Sequence, residues 1–497
     1  MHFDLSKELL PGLPPFSGGR MSGRVYDAGV GRHAVYGDGL PYAVQQKTNT
    51  EKQLCELHRL SLCGCHVTVN QTGEDQFTAD VVGEDRAFHI VKDGEAFQAI
   101  PKALRPHLPA DAPCLQRTVT ETDFSAFSAY LRVLAQAGFQ RIWENEIEHN
   151  RYCQLQKGSR LIYAAFFGPT GTAHFIDDTV SVPLPALSGS QPLPGEKTEV
   201  CQFGLYYDKM VHGVTADCGM LYLIKLPDRS LFLIDAGEYE QATQAAVQEV
   251  MRLMRQWTGA APGEKIRIAA WFCTHAHDDH MDLFGKLVRL YHDELDVQRL
   301  IFNFPAFAHY ELMPSAYVTL RRLNQYYPHA LYCKPHAGME ITLAGVRFQF
   351  LQTHEDAASA QGDELIGGFN DASTVLKITF DGVSLLILGD INREAEAVLL
   401  SHYESALQAD AVQPAHHLIN LLERVYPVVG AKIALIPAST VKASPENDRY
   451  QNLLRCIPRE RMFFASQGTS FWAAEDGSLV LKKALPTVGG PFDESPV

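Results

Sequence analysis

The apolar positions downstream of residue 199 follow two different periods. Predominantly apolar runs at 221–225, 231–234 and 266–272 are typical of strands that are buried on both faces. Between the last two runs, residues 241–257 have apolar positions at helical spacing, which predicts an amphipathic helix. Later strands are predicted at 346–351, 374–380, 385–388 and 432–436, and later helices at 393–401 and 418–426. Strands and helices in alternation predict an α/β layered domain.

The first 181 residues show a different pattern, in which a helix is followed by several short strands, and this pattern occurs twice. The predicted helix at 50–62 precedes strand-like stretches at 67–70, 76–82 and 87–91. The predicted helix at 124–137 precedes strand-like stretches at 140–144, 151–156, 161–167 and 173–176. Residues 1–181 are therefore predicted to form a smaller α+β domain of unknown role. Segments 48–101 and 122–178 are either copies of one unit, by internal duplication, or alike by chance.

Residues 182–198 separate the two regions. Four prolines together with glycine and serine can form neither a helix nor a central strand, so we predict a Pro-rich linker at 182–198. The second domain then occupies residues 199–485. The remaining residues, 486–497, contain proline and glycine and are predicted to be a flexible tail.

The composition excludes several classes of protein. Apolar residues make up 46% and aromatic residues 10% of the chain, which excludes disorder as the main state. No apolar run reaches the roughly 18–20 residues of a membrane helix, and no secretory signal pattern is present at the start. The ten cysteines are scattered, which favours free thiols and a cytoplasmic location. The net charge of −15 disfavours extended nucleic-acid binding, whereas a small-molecule or nucleotide-type substrate and a homo-oligomer remain compatible with it.

The candidate chemistry is concentrated where the predicted strand at 266–272 ends. Because side chains alternate along an extended chain, His275 and His277 point the same way and can chelate one metal ion. The chain then enters a predicted helix, where Asp279 and His280 can face a second ion. Imidazole and carboxylate groups suit Zn²⁺, Mn²⁺ or Fe²⁺. So many polar side chains at the end of an apolar strand are costly to bury without a bound partner.

Residues 275–280 have the pattern His-x-His-x-Asp-His, and with three further motifs the chain resembles the metallo-β-lactamase superfamily over residues about 200–480. The further motifs are Asp235-Ala-Gly237 after one strand, Gly389-Asp390 after another, and Gln413-Pro-Ala-His416-His417. The resemblance implies an αββα sandwich that holds two divalent metal ions, with Zn²⁺ as the first expectation and Mn²⁺ or Fe²⁺ as alternatives. As metal ligands it implies His275, His277, Asp279, His280, Asp390 and His416, with Asp235 and His417 in contact with the ligands.

The third ligand of the first metal is the point where the sequence departs from the family pattern, because no Gly-His-Thr-x-Gly segment precedes Asp390. His354 is the candidate for this ligand, and Asn370 and Asp371 are the alternatives. The segment that contains Asn370 and Asp371 resembles the competence-type DNA-uptake hydrolases, the nearest branch in motif pattern. Of the two adjacent histidines, His416 is favoured as the ligand over His417 because it is nearer the expected strand end.

These features predict a metal-dependent hydrolase that uses a metal-bound hydroxide, with Asp279 as the catalytic residue that positions the nucleophile and accepts its proton. By analogy with the family, the expected substrate is a phosphoester, and within that class a nucleotide-type phosphodiester. A thioester- or lactone-type acyl hydrolase is one alternative, and a metal-binding sensor or scaffold without hydrolysis is another. His212, His309 and Tyr310 are candidates for lining the pocket, or else solvated loop residues.

Overall fold

The computed structural model describes residues 8–22, 26–27, 42–44, 54, 57, 66–82, 87–93, 96–101, 114–178, 181–205, 210–211, 214–215, 218–238, 241–305, 314–358, 367–419 and 422–487. The N-terminal strands are β1 (Arg20–Met21), β2 (Tyr26–Asp27), β3 (Tyr42–Val44), β4 (His66–Gly73), β5 (Gln76–Val82), β6 (Ala87–Asp93), β7 (Ala96–Pro101), β8 (Leu115–Thr120), β9 (Gln140–Ile147), β10 (Asn150–Lys157), β11 (Arg160–Phe167) and β12 (Thr172–Asp177). Helix α1 (Phe124–Gln136) lies between β8 and β9.

The C-terminal domain contains six described helices and eighteen described strands. The helices are α2 (Gln244–Thr258), α3 (Asp278–Tyr291), α4 (Pro314–Tyr326), α5 (Arg393–His402), α6 (Val425–Val429) and α7 (Asp448–Leu454). The strands are β13 (Glu199–Gln202), β14 (Met210–Val211), β15 (Val214–Thr215), β16 (Tyr222–Lys225), β17 (Leu231–Ile234), β18 (Ile266–Cys273), β19 (Leu295–Val297), β20 (Arg299–Phe302), β21 (Leu331–Cys333), β22 (Glu340–Leu343), β23 (Val346–Gln352), β24 (Val375–Phe380), β25 (Val383–Ile387), β26 (Ala411–Gln413), β27 (Ile433–Ile436), β28 (Met462–Phe464), β29 (Thr469–Glu475) and β30 (Ser478–Leu485).

Two sheets packed face to face form the centre of the C-terminal domain. The first has the strand order β21-β20-β18-β17-β16-β13-β29-β30, with β19 beside β18, and the second has the order β22-β23-β24-β25-β26-β27-β28. Their inner faces share one apolar core, in which the ring of Phe232 stacks on that of Phe348 at 3.9 Å. Helices α2, α3 and α4 cover the outer face of the first sheet, and residues of α5, α6 and α7 pack with the second. This arrangement confirms the predicted αββα sandwich of the metallo-β-lactamase type.

The N-terminal region forms two antiparallel sheets with the same strand order. The first is β3-β7-β6-β5-β4, and the second, called here the N-terminal sheet, contains β8-β12-β11-β10-β9 together with β1 and β2. In each sheet, four consecutive strands form a meander, and the strand that precedes them in the chain pairs with the last of the four: β3 pairs with β7, and β8 pairs with β12. This shared order is what an internal duplication would produce, and the duplication itself stays a prediction. Most of the helix predicted at 50–62 lies outside the described residues.

The N-terminal sheet is packed between helix α1 on one face and the C-terminal domain on the other. On the second face, the buried hydroxyls of Tyr152 and Tyr403 lie 2.7 Å apart. Gly338 allows this approach, because a Cβ atom there would lie 2.3 Å from the Tyr152 ring. The Asn150 amide also donates to the His402 carbonyl oxygen at 2.8 Å. A continuous apolar core with buried polar contacts joins the two regions.

The segment predicted as a linker connects the two regions and is packed along the C-terminal domain. Leu184 and Leu187 are buried, and Arg299 donates to the Leu187 carbonyl oxygen at 2.7 Å. The predicted helix at 418–426 is wrong: a 3-10 turn covers 415–418, and α6 begins only at Val425. No described helix is both long enough and apolar enough to cross a membrane.

Candidate metal centre

Polar side chains of the centre follow the carboxyl ends of strands in both sheets. Asp235 follows β17, and His275 follows β18, which runs parallel to β17. In the second sheet, Asp390 follows β25, and His417 follows β26, which runs parallel to β25. Because parallel strands end at the same edge of a sheet, residues far apart in the sequence converge there. Helix α3 begins at this edge and contributes Asp279 and His280.

Four of these side chains form a compact cluster, called here the tetrad: Asp279, His280, Asp390 and His417. Their ligand atoms all lie within 4.8 Å of one another. The Nε2 atoms of His280 and His417 are 3.3 Å apart, and each is 3.2 Å from Asp390 Oδ2. Asp279 Oδ2 lies 3.1 Å from His417 Nε2 and 3.6 Å from His280 Nε2. Ligands at the usual zinc distances occupy corners about 3.3 Å apart in a tetrahedron, so the tetrad has the size of a site for one such ion.

The chemistry of the tetrad also fits a divalent cation. Two imidazoles and two carboxylates are donors that suit Zn²⁺, Mn²⁺ or Fe²⁺. Asp390 Oδ1 is buried and has no hydrogen-bond partner among the residues described. Such an atom is costly to bury unless a cation or donor contacts it. The tetrad is therefore a credible metal site, with Asp390 able to offer a second oxygen beside it.

The two tetrad histidines are oriented by acceptors on their far sides. The buried carboxylate of Asp235 accepts from His280 Nδ1 at 2.7 Å and from the Thr274 amide and hydroxyl, both at 2.7 Å. The carbonyl oxygen of Pro437 accepts from His417 Nδ1 at 2.7 Å. Because Nδ1 donates in both rings, Nε2 is the atom of each neutral imidazole that could offer a lone pair to a cation in the tetrad.

Opposite charges dominate the electrostatics of the tetrad. Burial opposes ionisation of Asp279 and Asp390, but the neighbouring His280 and His417 outweigh it and lower both carboxyl pKa values well below the usual range. Burial likewise opposes protonation of His417, but the carboxylates raise its pKa to about 10. The Asp279 side chain is 16% exposed, which makes it the tetrad member with access to solvent.

His275 and His277 lie beside the tetrad as a separate pair. His275 Nε2 is 3.1 Å from His277 Nδ1, and the His275 ring centroid is 4.2 Å from that of His280. His275 is fully buried, and this burial, with His280 and His277 alongside, lowers its pKa well below the usual value. The two imidazoles therefore lie side by side next to the tetrad, and their role as ligands of one metal ion stays a prediction.

His416 and His417 both reach the centre because the backbone turns left-handed there. Their φ/ψ angles are 49/47° and 49/27°, whereas adjacent side chains of an extended chain would point to opposite sides. His417 lies in the tetrad, while His416 Nε2 is 4.0 Å from Asp390 and 3.2 Å from the Asn370 amide nitrogen. The preference for His416 over His417 is therefore corrected, since the strand end alone does not show which ring the turn directs inward. Left-handed non-glycine residues cost about 1–3 kcal/mol each and are concentrated at functional sites.

Two candidates for the third ligand have other partners. His354 Nε2 is 2.8 Å from Asn303 Oδ1, in a buried polar cluster where His336 lies between the carboxylates of Glu355 and Asp178. Asp371 accepts four hydrogen bonds, one from the Gly368 amide and three from Asn392 and Ala395 at the start of α5. Both residues are engaged by other groups, so this geometry gives no support to His354 or Asp371 as the third ligand.

Two residues that shape the centre were given no role in the sequence prediction. Thr274 links Asp235 to the end of β18. Gln413 accepts from the amides of Leu388 and Gly389 at 2.9 and 2.8 Å and so shapes the turn before Asp390. Their positions next to the motifs are the available signal, but single polar residues at strand ends are too common to be specific. His212, His309 and Tyr310 lie outside the described residues.

Comparisons with known proteins add partial similarities. No family model and no curated protein matches the chain. A mutant flavo di-iron protein from Thermotoga maritima has 13% identity and a TM-score of 0.24, over 63% of this chain and 62% of that one. The diiron beta-hydroxylase CmlA from Streptomyces venezuelae has 12% identity and a TM-score of 0.25, over 54% and 48%. The metallo-beta-lactamase GOB-18 from Elizabethkingia meningoseptica has 15% identity and a TM-score of 0.22, over 56% and 93%.

This chain spans less than two thirds of the length of the flavo di-iron protein. Similarity at these levels carries no argument about activity. The class of protein is defined instead by the αββα sandwich and by the His/Asp cluster at the edge of its sheets, which together give a metallo-β-lactamase-like fold with a candidate metal site.

Proposed function

We propose that the protein is a metal-dependent hydrolase that acts on a phosphoester, with a nucleotide-type phosphodiester as the first substrate to test. The observation that carries the proposal is the tetrad, which joins Asp279, His280, Asp390 and His417 from three distant segments at the distances of a single metal site. Two imidazoles and two carboxylates at this spacing are a donor set that suits one divalent cation. A bound divalent cation supplies Lewis acidity, which polarises an ester and makes water more acidic.

The protein's own residues would divide the remaining tasks. Asp235 and Pro437 hold the two imidazoles so that Nε2 faces inward. Asp279 is partly open to solvent, so it is the tetrad carboxylate that can contact a substrate or accept a proton from attacking water. Asp390 keeps one buried oxygen in the tetrad and a second beside it.

The choice of a phosphoester rests on the motif resemblance to the competence-type hydrolases. The net charge of −15 disfavours long nucleic acids, and a small nucleotide-type diester is compatible with it. The same centre could also hydrolyse thioesters or lactones, because a Lewis acid polarises a carbonyl as well as a phosphoryl group. The assay must therefore include both kinds of ester.

The experiment compares the hydrolysis of bis(p-nitrophenyl) phosphate and p-nitrophenyl acetate by protein loaded with Zn²⁺ or Mn²⁺. We expect diesterase activity to be lost in both His417→Ala and His277→Ala, and the metal of the tetrad to be lost in His417→Ala. His89→Ala is the matched control, because it removes a histidine from β6, where His89 contacts Asp80.

Diesterase activity that survives both substitutions would sink the proposal. Hydrolysis of the acetate alone would favour the acyl hydrolase. Metal binding without any hydrolysis would favour the sensor or scaffold.

A further inference from the structure

Asp371 fixes the orientation of the Asn392 side chain. Asp371 Oδ1 accepts from the backbone amides of Asn392 and Ala395 at 2.8 and 3.1 Å, and Oδ2 lies 3.3 Å from Asn392 Nδ2. A carboxylate can only accept hydrogen bonds, so the amide nitrogen of Asn392 must face Asp371. The amide oxygen of Asn392 therefore faces the other way.

The orientation of Asn392 in turn determines the tautomer of His416. Asn392 Oδ1 lies 3.0 Å from His416 Nδ1, and because an amide oxygen only accepts, Nδ1 carries the hydrogen. In the neutral ring Nε2 is then an acceptor, and the group 3.2 Å away must be the donor amide nitrogen of Asn370. Asn370 Oδ1 is consequently left at the opposite end of its amide, where it is buried and has no hydrogen-bond partner in the described parts of the chain.

The residue before Asn370 in the sequence contacts the histidine pair beside the tetrad. The ring of Phe369, its neighbour in the sequence, lies 4.8 Å from the ring of His277 and 6.5 Å from that of His275. The pair offers two imidazoles but lacks a third ligand, and the sequence candidates His354 and Asp371 have other partners.

The two groups of ligands differ in kind. The tetrad supplies four protein ligands, enough to complete the coordination of one tetrahedral ion. Two histidines with one amide oxygen would supply three ligands and leave one position open, as catalytic sites do. A neutral amide oxygen is also a weaker ligand than a carboxylate and better suited to Mn²⁺ than to Zn²⁺.

We propose that Asp371, Asn392 and His416 are positioning residues that hold Asn370 Oδ1 toward His275 and His277, and that these three groups bind a second cation more weakly than the tetrad binds the first. The inference rests on the metal centre of the proposed function and is independent of the substrate. On this inference, the weaker site at His275, His277 and Asn370 is the one that has an open position for substrate.

The test is a calorimetric titration of chelator-treated, metal-free protein with Mn²⁺ and, separately, with Zn²⁺. The wild type is expected to bind two ions per chain, the second at least tenfold more weakly. Asn392→Leu is expected to weaken only the second event, by tenfold to a hundredfold, as is usual when the partner of a ligand is lost. Asn392→Leu leaves in place the bonds from the Asn392 and Ala395 backbone amides to Asp371 Oδ1, which hold the start of α5.

Asp371, Asn392, His416 and Asn370 form a hydrogen-bonded series, called here the relay. Two further variants act on other members of this relay. His416→Ala is expected to weaken the second event as Asn392→Leu does. Asn370→Asp, which replaces the amide oxygen by a charged one of the same shape, is expected to strengthen it at least tenfold. In all of them the first event should change less than twofold, and Asn70→Leu, on the exposed strand β4, should change neither event.

The outcomes separate the inference from the proposed metal centre. If His417→Ala leaves the first event intact, the tetrad is not a metal site and both ideas fail. If His417→Ala removes it but Asn392→Leu and Asn370→Asp leave the second event unchanged, only the relay is wrong. A single event in the wild type, or loss of the first event in His416→Ala, would also overturn the relay. Circular dichroism of each variant excludes misfolding as the cause.

Discussion

Replacing Asp235 by asparagine tests how the tetrad is oriented. Asp235 Oδ1 accepts from the Thr274 backbone amide, and Oδ2 accepts from His280 Nδ1 and from the Thr274 hydroxyl, all at 2.7 Å. Asparagine has the same shape but only one acceptor oxygen. The backbone amide of Thr274 can only donate, so the oxygen must stay with it and the new NH₂ group must face His280 Nδ1. His280 is then forced into the tautomer with hydrogen on Nε2, which removes the lone pair from the tetrad.

The magnitude follows from the role of such partners in metal sites. Loss of the acceptor behind a histidine ligand costs about tenfold to a hundredfold in metal affinity. This corresponds to about 1.4 to 2.7 kcal/mol. Because Asp235 and His280 are fully buried, no solvent molecule can substitute cheaply for the lost acceptor. We therefore expect Asp235→Asn to reach the upper part of this range.

The assay is competition for Zn²⁺ between the protein and a chromophoric chelator at fixed pH and salt. Asp410→Asn is the matched control, because Asp410 holds the backbone amide of Ser384 at 2.9 Å and has no described contact with the tetrad. A dissociation constant that changes less than twofold in Asp235→Asn would refute the tautomer argument. An equal loss in both variants would show that the effect is a general one on stability.

Three further predictions concern the contact between the N-terminal sheet and the C-terminal domain. Gly338→Ala should lower the midpoint of thermal unfolding, since its Cβ would lie 2.3 Å from the Tyr152 ring and φ is +79°; an unchanged midpoint would contradict this. Tyr152→Phe should cost about 1–3 kcal/mol by stranding the Tyr403 hydroxyl, and the double Phe variant should cost less than the sum of the single ones in urea unfolding; additive costs would argue against the bond. Burial lowers the pKa of His402 to about 3, so the unfolded chain binds more protons between about pH 6.5 and pH 3, and stability should fall as the pH drops through that window. His402→Phe, which keeps a ring stacked on Phe167, should lack this fall, and parallel pH curves for the two proteins would contradict the assignment.

The strands and helices were predictable where the apolar residues keep one spacing, either strand-like or helical, over a long stretch of sequence. Residues 266–272 form β18 almost as predicted, because an apolar run broken only by Arg267 has few alternatives to a buried strand. The helix predicted at 418–426 failed because three successive left-handed residues, His416, His417 and Leu418, interrupt the chain there. Nothing in the local apolar spacing encodes that turn, which is stabilised by the contacts of both histidines.

The sequence by itself determined the type of fold and the segments that carry the chemistry. The pattern His-x-His-x-Asp-His after an apolar strand, and aspartate after two others, brought His280, Asp279 and Asp390 to one sheet edge by strand topology alone. Tertiary structure alone decided which of His416 and His417 enters the tetrad, and that Asp371 and His354 are engaged elsewhere. The reason is physical: ligand selection depends on side-chain direction within a few ångströms, and that direction is set by contacts between segments far apart in the chain.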